Sequence, residues 1–337
     1  MNMRENVQTC NQCVLDSHYP GISFNEAGVC NYCTHSKGTV EQASLRKKYE
    51  SKFLEVVERI KGKGTYDCLL AYSGGKDSTY TLHLLKNKYR LKVLAVTFDN
   101  WYQSETAREN IRTIMMRMNM NHIYVTPAYE LFKRIMQVAV DPSLFPPKAL
   151  ERATSICTTC LSLIRFTCVR MAIDMDIPIV ITGLSPGQAP IATSVFKLNA
   201  KMLRSMQEVV AGILRSRLGD EVNAFFLEER HFSREEAMPY SVNPLSFLTY
   251  NEKDIFEIIN GLGWRSPQDT DSNSTNCLLN ALANTIHQEH MGYHPYAFEI
   301  AGLIRDGHMT REDGLAKLAI PPDEQVILKV KRELGIR

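Results

Sequence analysis

The chain has 337 residues, 44% hydrophobic and 23% charged, the composition of a soluble globular protein of about two domains. Its 39 basic and 37 acidic residues exclude a general electrostatic pull toward nucleic acid and leave room only for a local basic patch. No apolar run approaches the roughly 20 residues of a membrane span, and the polar start Met1-Asn-Met-Arg-Glu-Asn6 is no signal peptide, so a cytoplasmic protein with no membrane partner is expected.

In that compartment nine cysteines read as ligands or reactive thiols rather than disulfides. The first four form two knuckles, Cys10-x-x-Cys13 and Cys30-x-x-Cys33, with 16 residues between them. That is zinc-ribbon spacing, and four thiolates make the closed tetrahedral site that structural Zn²⁺ prefers. His18 and His35 are nearby, but two complete knuckles need no substitute. Residues 40–62 follow as an amphipathic helix carrying Leu45, Tyr49, Phe53, Val56 and Ile60 near helical spacing.

Next comes a strand over 67–72, the turn Ser73-Gly-Gly-Lys-Asp-Ser78 and a helix over 77–88. A strand that stops at a glycine-rich turn and feeds a helix N-terminus is a phosphate cradle. Its free N–H groups and the helix dipole favour an anion. Gly74 and Gly75 allow close backbone approach, Lys76 adds charge, and Ser73 and Ser78 add hydroxyls. Further strands are expected at 91–98, 122–125 and 179–182, with helices between them, implying a doubly wound parallel sheet. Ligands in such sheets sit beyond the carboxyl ends of the strands. Two of those ends carry Asp99 and the turn Gly183-Leu-Ser-Pro-Gly-Gln188. Asp99 is placed to meet an adenosine or, equally, to cap a turn, and Gly183 begins a turn able to close over a nucleotide.

Helical stretches over 131–153, broken at Asp141-Pro142 and Pro146-Pro147, lead to Cys157-Thr-Thr-Cys160 at the start of a helix over 161–175. A helix start favours thiolate. A helix over 198–218 carries Lys197, Lys201, Arg204, Arg215 and Arg217, which read as a solvated face. Asn243-Pro-Leu then opens a turn and a further helix that ends at Gly261 or Gly263. The polar stretch 264–277 ends in the lone Cys277, and a helical tail follows, with Thr310 and Asp313 as a capping pair. Cys157, Cys160 and Cys277 together suit an iron–sulfur cluster with one open iron, a redox or persulfide pair plus one, or a structural zinc completed by His287 or His290.

The Ser73–Ser78 loop resembles the Ser-Gly-Gly-x-Asp-Ser loop of the PP-loop ATP pyrophosphatase superfamily. That resemblance implies an adenine nucleotide alpha-hydrolase-like α/β fold over residues 64–260. An N-terminal zinc ribbon (1–38), a helical connector (39–63) and a helical C-terminal region (261–337) would surround it. It also implies ATP bound by Ser73, Gly74, Gly75, Lys76, Asp77 and Ser78, with Mg²⁺ shared by Asp77. The three later cysteines are laid out as in the cluster-dependent tRNA thiolases of that superfamily, which implies a 4Fe-4S cluster and a sulfurtransferase using an adenylated carbonyl. The ribbon residues around Pro20-Gly-Ile22 and Gly28-Val-Cys30 resemble the N-acetyl-sugar amidotransferases, which take ammonia from a glutaminase partner. The expected acceptor is a heterocycle, a sugar or tRNA, with a sulfur donor or glutaminase as protein partner and a homodimer as assembly.

Overall fold

A computed structural model describes residues 7–36, 38–271 and 274–336. The ribbon closes with the one-turn α1 (Asn31–Thr34), and α2 (Thr39–Ile60) buries Phe53 and Val56. β1 (Cys68–Ala71) feeds α3 (Lys76–His83), which widens into a π turn over Leu84–Lys88. β2 (Val93–Phe98) is buried at every position. α4 (Glu105–Arg117) starts where the Ser104 side chain accepts the Ala107 amide. β3 (Asn121–Val125), α5 (Tyr129–Ala139), α6 (Ser155–Asp174) and β4 (Ile179–Thr182) follow. β5 (Val195–Lys197), α7 (Ala200–Leu218), α8 (Glu229–Phe232) and β6 (Tyr240–Val242) finish the sheet region. Five helices make up the rest: α9 (Glu252–Gly261), α10 (Leu279–Met291), α11 (Ala297–Arg305), α12 (Arg311–Ala319) and α13 (Glu324–Leu334).

The six strands lie in the order β3-β2-β1-β4-β6-β5, all parallel except β5. Side chains alternate between two cores, as the two-residue period of a strand requires. Leu69, Leu94, Val96 and Phe98 pack with Phe132, Leu163 and Phe166 on one face. Cys68, Leu70, Val93 and Ala95 pack with Phe53, Leu82, Ile114 and Ile259 on the other. Each such buried leucine or phenylalanine contributes about 1.5–3 kcal/mol. Chain order reverses between β1 and β4, so the crevice beyond their ends is the switch point where α/β sheets bind ligands.

The expected class is therefore borne out, with two differences. The sheet is mostly parallel, because the three-residue β5 pairs antiparallel with β6. Strands that short carry no legible alternation. Helix α6 begins at Ser155 rather than residue 161, because Thr154 is its N-cap. By length and composition α6 could cross a membrane, but 56% of its apolar window is buried inside the fold. Its side chains pack on β1 and β4, as a core helix does. The basic residues of α7 are solvated, with Arg204 and Arg215 paired to Glu229 and Glu208. Thr310 caps α12 by accepting the Asp313 amide, and its hydroxyl reaches the Asp313 carboxylate. The ribbon docks on the C-terminal helices: Tyr19 and Tyr32 pack on Phe298 and Tyr293, and Arg311 Nε donates to the carbonyls of Cys10 and Cys13.

Candidate nucleotide and cysteine site

The turn after β1 is held tightly. Gly74 has φ +76, and a Cβ there would lie 2.6 Å from Ile111 Cγ1 and 2.8 Å from the Ala107 carbonyl. Only glycine fits such a place. The Ser73 and Ser78 hydroxyls lie 3.1 Å apart, and the Gly75 amide donates to Ser73 Oγ at 3.3 Å. Buried Trp264 donates through Nε1 to the Gly74 carbonyl at 2.8 Å. The Lys76 amide donates to Thr275 Oγ1 at 3.2 Å, so Trp264 and Thr275 both lie against the loop. Gly183, at the end of β4, touches it from the other side: a Cβ would sit 2.7 Å from Ser78 Cα. Its small size serves close packing of β4 on α3.

The Lys76 ammonium engages carboxylates of the protein itself. Its Nζ lies 3.1 Å from both Asp77 Oδ1 and Glu252 Oε1 and donates to the Tyr250 hydroxyl, which in turn donates to Asp77. Burial pulls the Lys76 pKa down, but Asp77, Tyr250 and Glu252 outweigh it and hold the group above the ordinary lysine value. Burial raises Glu252, yet Lys76 and Lys317 bring it below the ordinary glutamate value. Both Tyr250 and Glu252 come from the segment after Pro244, which is how that stretch reaches the loop. Glu299 of α11 accepts from Ser185 Oγ at 2.5 Å, and burial raises its pKa.

Asp99 is buried beyond β2. It accepts the Trp101 amide at 2.8 Å and lies 3.7 Å from Arg108. Asp99 thus takes the turn role, and it also lines a cleft of about 460 Å³ with Arg108, Ile111, Arg112, His122 and Tyr124. Ile111 both lines this cleft and packs against Gly74, so the cleft adjoins the loop.

The three later cysteines come together beside them. Cys157 and Cys160 lie in the first two turns of α6, where Thr154 Oγ1 accepts the Cys157 amide at 3.0 Å. Cys277 is delivered by a short pairing: Ser104 N donates to Asn276 O, and Leu278 N to Tyr102 O. Asn100 Nδ2 then donates to Cys277 Sγ at 3.1 Å and also reaches Cys160. Asn280 Nδ2 lies 3.9 Å from Cys157 Sγ and donates to the Tyr296 hydroxyl at 3.1 Å. Burial raises the pKa of all three thiols, Cys277 to about 11. The thiolate expected from the helix dipole is thus outweighed by desolvation. Asn100, Asn280 and Tyr296 escaped the sequence reading. Only the position of Asn100, next to Asp99 at a strand end, hinted at its role.

In the ribbon, Cys10 and Cys33 sulfurs lie 3.9 Å apart and Cys13 and Cys30 sulfurs 3.7 Å apart. All four lie within 4.8 Å of one another, the only such group among the described residues. A tetrahedral ion with thiolates at about 2.3 Å places sulfurs about 3.8 Å apart, so the set fits a single metal ion. Burial raises Cys10, but amides from Cys30 and Gln12 bring it down to about 7. His18 instead pairs with Asp16. His287 is buried against Tyr293, and burial with His294 and His290 holds its pKa near 4.

No protein-family model matches the chain. It is 26% identical over 332 residues to the uncharacterized protein MJ1599 of Methanocaldococcus jannaschii, a match covering 97% of this chain and 99% of the relative. Among solved structures it is similar to the U34-tRNA thiolase NcsA of Methanococcus maripaludis with its 4Fe-4S cluster, at TM-score 0.34 and 13% identity, over 98% of this chain and 99% of that one. It is also similar to NMN synthetase of Francisella tularensis, at 0.37 and 12%, over 90% and 98%. A third is the NH3-dependent NAD synthetase of Campylobacter jejuni, at 0.35 and 13%, over 83% and 97%. These are proteins of the superfamily that the Ser73–Ser78 loop resembles. Scores this low carry no functional argument, and the case for function stands on the chain's own residues.

Proposed function

We propose that this protein is an ATP-dependent, AMP-forming sulfurtransferase of the PP-loop type. One observation supports this most: a single short segment touches both halves of the site. Thr275 lies on the phosphate loop, and Cys277, two residues later, lies beside Cys160 on Asn100.

ATP would lie with its phosphates on the Ser73–Ser78 turn and its nucleoside in the cleft lined by Asp99. Asp77 would share Mg²⁺ with the phosphates, and Lys76, anchored on Glu252 and Tyr250, would fix where Asp77 sits. The acceptor's carbonyl oxygen attacks the α-phosphorus, pyrophosphate leaves, and the oxygen becomes part of AMP as a leaving group. Hydrosulfide then adds to the carbon and AMP departs. Cys157, Cys160 and Cys277 would hold a 4Fe-4S cluster, which supplies an iron open to sulfide. The ribbon would hold Zn²⁺ for structure. The setting is cytoplasmic, with a protein sulfur donor and a homodimer as assembly.

The test is product analysis with ATP, sulfide and candidate acceptors, including tRNA, heterocycles and N-acetyl sugars. Sulfur in place of oxygen, with one AMP and one pyrophosphate per product, is expected. A product carrying nitrogen instead, formed with a glutaminase partner, would establish amidation, the reading that the ribbon residues around Pro20 favour.

A further inference from the structure

We propose that Trp101 is the stacking platform for a planar heteroaromatic ring of the acceptor, a nucleobase or a free heterocycle of the same chemistry. The proposal rests on the cysteine site being where the acceptor's carbonyl is attacked.

Trp101 has φ +63, the left-handed region. Turns that need this conformation are filled by glycine, asparagine or aspartate, and a bulky aromatic there is an outlier. Two successive side-chain bonds hold it. The Trp101 amide donates to Asp99 Oδ1 at 2.8 Å, and the Tyr102 amide donates to Asn100 Oδ1 at 3.0 Å. The indole is fixed as well: Nε1 donates to the Pro127 carbonyl at 3.0 Å, and its ring meets Tyr129 edge-on at 5.2 Å. So held, the ring remains 37% exposed. Strain in a rigid, solvent-facing residue persists where the side chain is used rather than where it packs.

Its neighbours say for what. The residue before it, Asn100, donates to Cys277 Sγ, and the one before that, Asp99, lines the nucleotide cleft. Trp101 therefore directly follows the two residues that reach the cleft and the thiols, while its own ring rests on Pro127 and Tyr129. An exposed indole recognises flat π-systems by stacking, with little dependence on which base is offered. Lys133 brings positive charge over the same Tyr129 ring, at 5.8 Å.

The chain has two tryptophans, and because buried Trp264 lies on the Gly74 carbonyl and also emits, comparison with Trp101→Gly isolates the quenching that belongs to Trp101. Trp101→Gly keeps the backbone conformation and removes the ring. Titration of the full chain with uracil, uridine and transfer RNA is expected to quench emission saturably, and Trp101→Gly to lose that quenching and bind uridine at least about tenfold more weakly. N-acetylglucosamine is expected to leave emission unchanged. Transfer RNA binding far tighter than uridine identifies a polynucleotide acceptor, and equal binding of uracil identifies a free heterocycle. Trp101→Gly relieves the left-handed strain but loses the Pro127 hydrogen bond and the Tyr129 contact, so a cooperative melt shifted by only about a few °C is expected. Saturable quenching that survives in Trp101→Gly, or quenching by the N-acetyl sugar alone, would overturn the proposal. Absence of sulfur in the product leaves this readout untouched, so the two readings fail separately.

Discussion

Replacing Cys277 with serine is expected to lower sulfur insertion by more than about hundredfold. The change is close to isosteric, and the residue's backbone stays paired with Gln103. Thr275, on the phosphate loop, is untouched. ATP binding and the metal of the ribbon should therefore persist. What is lost is a thiolate, the ligand that iron prefers and that a serine hydroxyl replaces poorly. If Cys277 only filled space, the same substitution would cost little activity, because the Asn100 amide can donate to a hydroxyl as well as to sulfur. Product mass and pyrophosphate release, measured on one preparation, separate the outcomes. Retained product with retained pyrophosphate release would favour ammonia over sulfide as the nucleophile.

Replacing Cys13 with serine, or stripping the ribbon metal with a chelator, is expected to unfold residues 10–33 and lower the melting temperature by about 10 °C or more. Structural zinc supplies about 10–16 kcal/mol of apparent binding energy in small ribbons, more than the fold of so short a segment can replace. The loss would spread. Tyr19 and Tyr32 cover Phe298 and Tyr293, and Cys10 and Cys13 present carbonyls to Arg311. Each uncovered aromatic costs about 2 kcal/mol, and each kcal/mol moves the midpoint by about 2–4 °C. The same helix α11 carries Glu299 beside Ser185, and Tyr296 beside Asn280 just precedes it. Activity should fall with the ribbon even though none of its cysteines touches the site. Thermal melting and metal analysis before and after chelation check this, and a metal-free protein with an unchanged midpoint would refute it.

Much of this architecture was legible because the signals were local. A β-run, two glycines and a helix start within a dozen residues mark the glycine-rich strand–turn–helix, and two knuckles mark the four-cysteine site. Long buried strands such as Val93–Phe98 announce themselves by composition. What stayed hidden depends on contacts far apart in sequence. Lys76 reads as a phosphate ligand, but its partners Glu252 and Tyr250 sit more than 170 residues away and left no local signal. Cys277 was visible as a lone thiol, but its place follows from pairing with residues 102–104. The start of α6 was missed because its cap, Thr154, lies in a loop-like stretch before the apolar run. The burial of the thiols was hidden for the same reason: a helix start is local, whereas the desolvation that raises their pKa comes from the folded core.

On the proposed function, Cys157, Cys160 and Cys277 would hold a cluster beside the Ser73–Ser78 loop. Purification without oxygen, followed by iron, acid-labile sulfide and zinc analysis, tests it most directly. About four iron and four sulfide per chain beside one ribbon metal are expected, with the iron lost on Cys157→Ser or Cys160→Ser and the ribbon metal retained. A protein that carries zinc alone and is fully active without iron would contradict it.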